Sequence, residues 1–245
     1  MLKWFSKKND EELEPLDFSF LKTDIHSHFI PGIDDGSPDM RTTVTLIQEM
    51  QRLGFSKVIT SPHVMSDFYK NSSEVILAGL AAIRAELKAQ RINMEIDAVA
   101  EYYLDYDFEQ KIGKEKFLFF GANYLLVELS FLDAPRNFLD IIFKLQLEGY
   151  TVVLAHPERY QYLQMKDYQN LVDRGVLLQI NLLSLISYYS LQVKDKAEAL
   201  IKQNMVSFVG TDCHNMHHAG LYKKCQSKRS WHDLYNSGNL LNNTL

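Results

Sequence analysis

Residues 23–37, "TDIHSHFIPGIDDGS", place two histidines and three aspartates within fifteen residues of chain. His26 and His28 alternate by two, so on a strand end both rings face the same way and can grip one ion. Other short apolar runs end in residues of the same kind. "VITSPH" ends in His63, "AVAEYY" carries Glu101 and "LLVELS" carries Glu128. "VVLAHPERY" supplies His156, and "FVGTDCHN" supplies Asp212 and His214. One aspartate of "DDG" joins them, but Asp34 and Asp35 are neighbours and spacing does not separate them. Five of the eight histidines fall at such places, and His217, His218 and His232 lie in the C-terminal tail.

Taken singly, these residues carry little. A lone histidine after a strand is more often a satisfied structural residue than a ligand, and Glu128 alone reads as a half-buried ion-pair partner. The coincidence carries the argument: six of the seven apolar runs end in such a group, which points to one shared site. Five imidazoles and four carboxylates are too many for one ion. At about four to five ligands per metal, with a bridging carboxylate, they suit two or three divalent ions. The mixed nitrogen and oxygen set without thiolate fits Mn²⁺, Fe²⁺ or Zn²⁺ and disfavours a structural zinc site.

Three divalent ions would outweigh four carboxylates by about two positive charges, so the site wants an anion, and a phosphate monoester fits. Arg159, three residues after His156 in "AHPERY", can reach back as a bidentate phosphate clamp. Its bland alternative is an ordinary surface arginine. A thiol mechanism does not fit, because cysteine-dependent phosphatases need an arginine six residues after the cysteine. Ala219 stands there after Cys213, and Cys225 has an arginine only four residues on. There is no G-x-S-x-G and no P-loop.

The elements that must position these groups are read from periodicity. "LKTDI", "KVIT", "MEIDAVA", "YLLVEL", "TVVLA", "VLLQI" and "VSFVG" are seven candidate strands, and only "VLLQIN" ends in amides, Gln179 and Asn181. Most are followed by a helical pattern. In "SPDMRTTVTLIQEMQRLG", Ser37 is the expected N-cap, Pro38 the first helical residue and Gly54 the stop. "SSEVILAGLAAIRAELKAQ" has a Ser cap and apolar positions at Val75, Ile76, Leu80, Ile83 and Leu87. Further helices are expected in "PRNFLDIIFKLQLEG", "DYQNLVDRG" and "KDKAEALIKQN". Near-continuous apolar strands alternating with amphipathic helices predict a parallel α/β architecture. A barrel is favoured over an open nucleotide-binding sheet, since its strand ends share one mouth.

The chain has 245 residues, is 46% hydrophobic and carries a net charge of −5, with a pI near 5.9. That balance suits a soluble globular protein and argues against a nucleic-acid surface. No apolar run approaches the ~18–20 residues that span a bilayer. The start, "MLKWFSKKNDEELEP", lacks the apolar core of a secretion signal. An N-terminal arm over residues 1–20 is expected, followed by one domain over 21–245. Two cysteines make no disulfide framework, and a cytoplasmic location is expected.

In this order, "DIHSHFIPGIDDG", "SPH", "AEYY", "VELS", "AHPERY" and "TDCHN" resemble the polymerase-and-histidinol-phosphatase (PHP) superfamily. Within it they resemble the bacterial capsule-biosynthesis tyrosine phosphatases, which are manganese-dependent. "PGIDDG" and "AHPERY" separate this subgroup from histidinol phosphatases and polymerase-associated exonucleases. The resemblance implies a distorted (β/α)7 barrel with a site for three Mn²⁺ ions. His26, His28, Glu101 and Asp212 would hold one ion, and Glu101 would bridge to a second held by His63 and His156. Asp35, chosen over Asp34 on the family alone, would complete the third with Glu128 and His214. Arg159 would bind phosphate. The implied activity is hydrolysis of phosphotyrosine by metal-activated hydroxide. The implied partner is a membrane-associated tyrosine autokinase that controls polysaccharide export; a homo-oligomer is left open.

One departure stands out. Some members carry a second arginine shortly after the last histidine, whereas here the stretch reads "HNMHHAGLYKK". Either His217, His218 or Lys223 takes over, or the clamp is weaker. Phe29, Tyr69, Tyr102, Tyr103, Phe131 and Tyr160 lie beside the ligands as a candidate apolar rim for a phenyl ring. The rival readings are a phosphatase for a small metabolite such as histidinol phosphate, and a non-catalytic regulator that binds the kinase.

Overall fold

The apolar runs become parallel strands, as a computed structural model that describes residues 13–245 shows. They are β1 (Thr23–Asp24), β2 (Lys57–Thr60), β3 (His63–Val64), β4 (Glu95–Ala98), β5 (Glu101–Tyr103), β6 (Tyr124–Glu128), β7 (Thr151–Ala155), β8 (Leu177–Asn181) and β9 (Val206–Gly210). The pairing orders are β1-β2-β4 and β3-β5-β6-β7-β8-β9. β2 runs on into β3, and β4 into β5, across short joins. Pro62, in the first join, has no N–H to give a ladder. Hydrogen bonding continues nonetheless, from Val99 N to Thr60 O and from Glu101 N to Pro62 O. Nine strands thus trace the seven courses that the apolar runs led one to expect.

The order then returns to its start. Asp212 N donates to His26 O at 2.7 Å, His28 N donates to Cys213 O at 3.0 Å, and Ser27 and Cys213 form a parallel bridge. The fold is a distorted β/α barrel whose first and last strands meet at the histidines.

Helices α1 (Met40–Arg52), α2 (Ser73–Ala89), α4 (Phe138–Leu147), α5 (Met165–Asp173) and α6 (Leu191–Lys202) occupy the expected segments. α3 (Tyr106–Lys111), α7 (Met216–Leu221) and α8 (Arg229–Ser237) were not foreseen. The cap of α1 is Asp39 rather than Ser37, because Asp39 Oδ1 accepts from Thr42 N at 2.8 Å. Ser37 is buried instead, and its hydroxyl donates to Asp39 O. Ser72 caps α2 as expected, and Ile76, Leu80, Ile83 and Leu87 face the core while Val75 is 45% exposed. None of the helices is long and apolar enough to cross a membrane, among the described residues.

Two apolar layers follow from the strand period of two. The larger lies between strands and helices. The smaller, comprising Ile25, Ile59, Val99, Phe120, Leu126, Val153, Ala155 and Phe208, plugs the inside of the barrel. Val99 precedes Glu101 by two residues, Leu126 precedes Glu128 by two, Ile59 precedes His63 by four, and Phe208 precedes Asp212 by four. On these four courses the same face that packs the plug therefore presents the polar residue above it.

Residues 1–12 lie outside the described part, so the expected arm is seen only in part. From Leu13 the chain is attached: Leu13 N and Leu16 N donate to Ser227 O and Gln226 O, and Phe18 is fully buried against Phe55 and Trp231.

Candidate metal centre

Above the plug, the strand-end residues converge. His26, His28 and Glu101 are fully buried, and Glu128, His156 and Asp212 nearly so. Gly210 makes this approach workable, since a Cβ there would come within 2.7 Å of His26 Cβ. Gly36 does the same for the "DDG" loop, where a Cβ would sit 2.2 Å from His28 O. His156 and Asp212 adopt φ of 34° and 53°, the left-handed region that L side chains rarely occupy. Such strain persists only where the surroundings enforce it, and it clusters at functional sites.

Hydrogen bonds set the tautomers of three imidazoles. His26 Nδ1 pairs with Gln179 Oε1 at 2.8 Å, His28 Nδ1 with Asp34 Oδ2 at 2.8 Å, and His214 Nδ1 with Asp212 O at 2.9 Å. All three partners are acceptors, so the proton sits on Nδ1 and the Nε2 lone pair is left facing inward. Two of these nitrogens, on His26 and His28, lie 3.3 Å apart. Two facing lone pairs repel unless a proton or a cation lies between them.

Three overlapping groups have ligand atoms close enough to share an ion: His26–His28–Glu101, His63–Glu101–Glu128, and His28–Asp35–His63–His214. In the second group His63 Nδ1 lies 3.0 Å from both Glu101 Oε2 and Glu128 Oε1. Yet all three of these buried atoms lack a properly aligned hydrogen bond. Buried polar atoms without partners are costly, and a bound cation would satisfy them together. The donor set therefore fits divalent ions.

Asp34 and Asp35 are now distinguished: Asp34 orients His28, while Asp35 Oδ1 lies 3.5 Å from Nε2 of both His63 and His214. The resemblance had grouped Glu128 with Asp35 and His214. Its carboxylate instead lies beside His63, on the strand next to Glu101, and reaches His156 only at 3.9 Å.

The electrostatics tell the same story. Burial opposes charge on His26, yet Glu101 and Asp212 beside it push its pKa up to about 10. His63, against Glu101 and Glu128, is likewise pushed up to about 12. Burial and the charge of Glu101 raise Glu128 to about 7. Burial holds His156 down to about 4, so its ring stays neutral and its lone pair available. The carboxylates dominate this cluster and call for positive charge.

Asp212 divides its two oxygens. Oδ1 faces His26 and His28 at 3.5 and 3.4 Å. Oδ2 accepts from Asn181 Nδ2 at 2.7 Å, and from Tyr189 and Arg159 at 3.4 and 3.3 Å. Arg159 thus stands at the edge of the cluster with its side chain 24% exposed. The amide strand β8, which offered no ligand in the sequence, supplies the supports Gln179 and Asn181.

The candidate rim shrinks. Phe29, Tyr102 and Tyr160 are buried in the core. Tyr69 stacks on His63, with ring centroids 5.5 Å apart, Phe131 is 46% exposed beside Arg159, and Tyr103 is half-buried. Of the stand-ins for a second arginine, His218 lies nearest: its Nδ1 is 3.4 Å from His214 N and its Nε2 is 3.0 Å from Tyr188 Oη. His217 lies 6.1 Å, centroid to centroid, from the Tyr188 ring, and Lys223 is exposed on the 3-10 turn Tyr222–Cys225. Both cysteines are buried, and burial raises their thiol pKa values, so neither is poised as a nucleophile.

This geometry has relatives. A tyrosine-protein phosphatase, YwqE of Bacillus subtilis, is 29% identical over 196 residues, covering 79% of this chain and 77% of that protein. The tyrosine-protein phosphatase CpsB of Streptococcus pneumoniae is 26% identical over 206 residues, covering 79% and 83%. A chain from the crystal structures of YwqE and CpsB, described as unique metal-dependent tyrosine phosphatases, matches with a TM-score of 0.78. It is 26% identical, with 90% of this chain and 94% of that chain covered. An amidohydrolase from Mycoplasma synoviae, at 12% identity and a TM-score of 0.53, shares the fold alone. The family model for capsular polysaccharide synthesis, CpsB/CapC, matches residues 22–229, which takes in every strand and every residue of the cluster. The chain belongs to the CpsB/CapC family.

Proposed function

We propose that this chain is a metal-dependent protein-tyrosine phosphatase whose domain spans residues 21–245. The observation that carries the reading is the set of inward Nε2 lone pairs and unpartnered Glu101 and Glu128 oxygens, gathered beside one arginine. His26, His28, Glu101 and Asp212 would hold one divalent ion. Glu101 and Glu128, with His63 and His156, would hold a second, and Asp35 and His214, beside His28 and His63, would hold a third. Bound there, the ions supply Lewis acidity toward phosphoryl oxygens and a nucleophile at neutral pH.

The chain's own residues do the rest. Arg159 binds the phosphoryl group with the N–H groups that Asp212 leaves over. Tyr69 and Phe131 offer ring faces beside the site for a phenyl group. Burial of the carboxylates excludes water and strengthens each charge interaction. The imidazole-rich donor set favours Mn²⁺, with Fe²⁺ and Zn²⁺ next. The relatives' activity makes phosphotyrosine the preferred substrate over histidinol phosphate. The family's place in capsule synthesis supports a cytoplasmic location and a membrane-associated tyrosine kinase as natural substrate.

Metal analysis of the purified protein, joined to a panel of phosphotyrosine peptides and small phosphomonoesters, tests this. Chelation should abolish activity, and Mn²⁺ should restore it better than Mg²⁺. Full turnover with metal shown absent, or a clear preference for histidinol phosphate, would overturn the reading.

A further inference from the structure

Arg159 sits on the 3-10 turn Pro157–Arg159, and the rings that cover its guanidinium come from two other loops. Its guanidinium carbon lies 4.2 Å from the centroid of Phe131, after β6, and 4.4 Å from the centroid of Tyr189, between β8 and α6. The Tyr189 hydroxyl is 3.4 Å from Asp212 Oδ2 and 3.2 Å from Asn181 Nδ2. Arg159 Nη1 donates to that same Asp212 oxygen. One carboxylate oxygen therefore ties down both the arginine and the ring that covers it.

We propose that Tyr189 is the positioning residue for Arg159, and this rests on the phosphate-binding role of Arg159 given above. An arginine side chain is long and flexible, and its value as a clamp lies in presenting a planar fork at a fixed angle. A single hydrogen bond to Asp212 leaves the plane free to swing about that bond. The Tyr189 ring removes this freedom by attraction between its face and the cation. Its hydroxyl, held by Asn181 and Asp212, stops the ring itself from turning. What remains is an edge of N–H groups held in one orientation, as a clamp on a tetrahedral anion requires. Tyr189 need not touch the substrate to do this.

A double-mutant cycle on the metal-loaded enzyme tests the proposal, with kcat/KM and inhibition by inorganic phosphate as readouts. Tyr189→Leu should lower kcat/KM about 5- to 30-fold and weaken phosphate inhibition in step, with metal content unchanged. Tyr189→Phe keeps the ring face but frees it to turn, and should lose less than Tyr189→Leu. In an Arg159→Ala background, Tyr189→Leu should cost less than about twofold, because the group it positions is gone. A loss that persists undiminished without Arg159, or no loss at all from Tyr189→Leu, overturns the positioning role. Should Arg159→Ala itself leave kcat/KM unchanged, the phosphate-binding role of Arg159 fails, and the Tyr189 proposal fails with it. An impaired Arg159→Ala enzyme with additive Tyr189→Leu overturns Tyr189 alone.

Discussion

Gln179 Oε1 lies 2.8 Å from His26 Nδ1, and both side chains are fully buried. The amide is itself oriented, because Gln179 Nε2 donates to Asn181 Oδ1 at 2.9 Å. The proton on His26 is thereby fixed at Nδ1. Gln179→Leu removes the acceptor without touching a ligand, and metal affinity should fall ~10–100-fold, as for other outer partners of ligating histidines. A competitive metal titration measures it, and an unchanged affinity in folded protein would mean that something else sets the tautomer.

Glu101 stands between His26, His63 and His156, with oxygens 3.3, 3.0 and 2.8 Å from their nitrogens. It belongs to two of the three ligand groups. Glu101→Gln keeps the shape and removes the charge, so the protein should lose bound metal and nearly all activity. Metal counting on the purified variant decides the matter: a full complement of ions would remove Glu101 from its bridging place.

Cys213 lies between Asp212 and His214 in sequence but faces away from their chemistry. Its sulfur is fully buried, 3.7 Å from Asn215 O, and burial keeps it a thiol. Cys213→Ser should keep most activity while losing ~1–3 kcal/mol of stability, the usual cost of a hydroxyl in an apolar place. A dead enzyme that still melts normally and binds its ions would speak for thiol chemistry after all.

For Arg159, substitution by alanine should leave metal binding normal and lower kcat/KM ~10²–10³-fold, or about 2.7–4 kcal/mol, by analogy with losing one oxyanion donor. Arg159→Lys should recover only part, since an ammonium keeps the charge but not the planar fork. If Arg159 were only a surface arginine, a stability change of about 1 kcal/mol with near-normal kinetics would be seen instead. Kinetics and thermal melts of both variants separate the two outcomes.

Most of the ligands were legible in the sequence because they close apolar runs, and at Glu101 and Glu128 a period of two carries the inward face of the plug directly to them. The barrel was legible for the same reason, with seven runs and helical stretches between most of them. What stayed hidden has physical causes too. Asp34 and Asp35 differ only in which way a turn points them. Gln179 and Asn181 cannot ligate as carboxylates do, so their amides gave no signal until the fold set them against His26 and Asp212. Tyr189 lies thirty residues from Arg159, with no periodicity linking them. Ser37 and Asp39 are both able to cap, and only the burial of Ser37 decided between them. The place of Glu128 beside His63 was hidden because strand adjacency, not chain order, chooses its neighbours.

The parallel bridge between Ser27 and Cys213 has a bearing on how the chain is made. His26 and His28 stand on one side of that join, Asp212 and His214 on the other, and Thr211 bonds to Asp24 across a separation of 187 residues. Contacts so distant in sequence form late, because their loop entropy is met only near the end of folding. During synthesis the first half of the centre must therefore wait until the last strand has emerged. Ions held across the join would act as a clasp on the whole ring, and their binding energy would become folding energy. A chelator should then do more than silence the enzyme: it should lower the melting temperature and let the two ends of the chain part first.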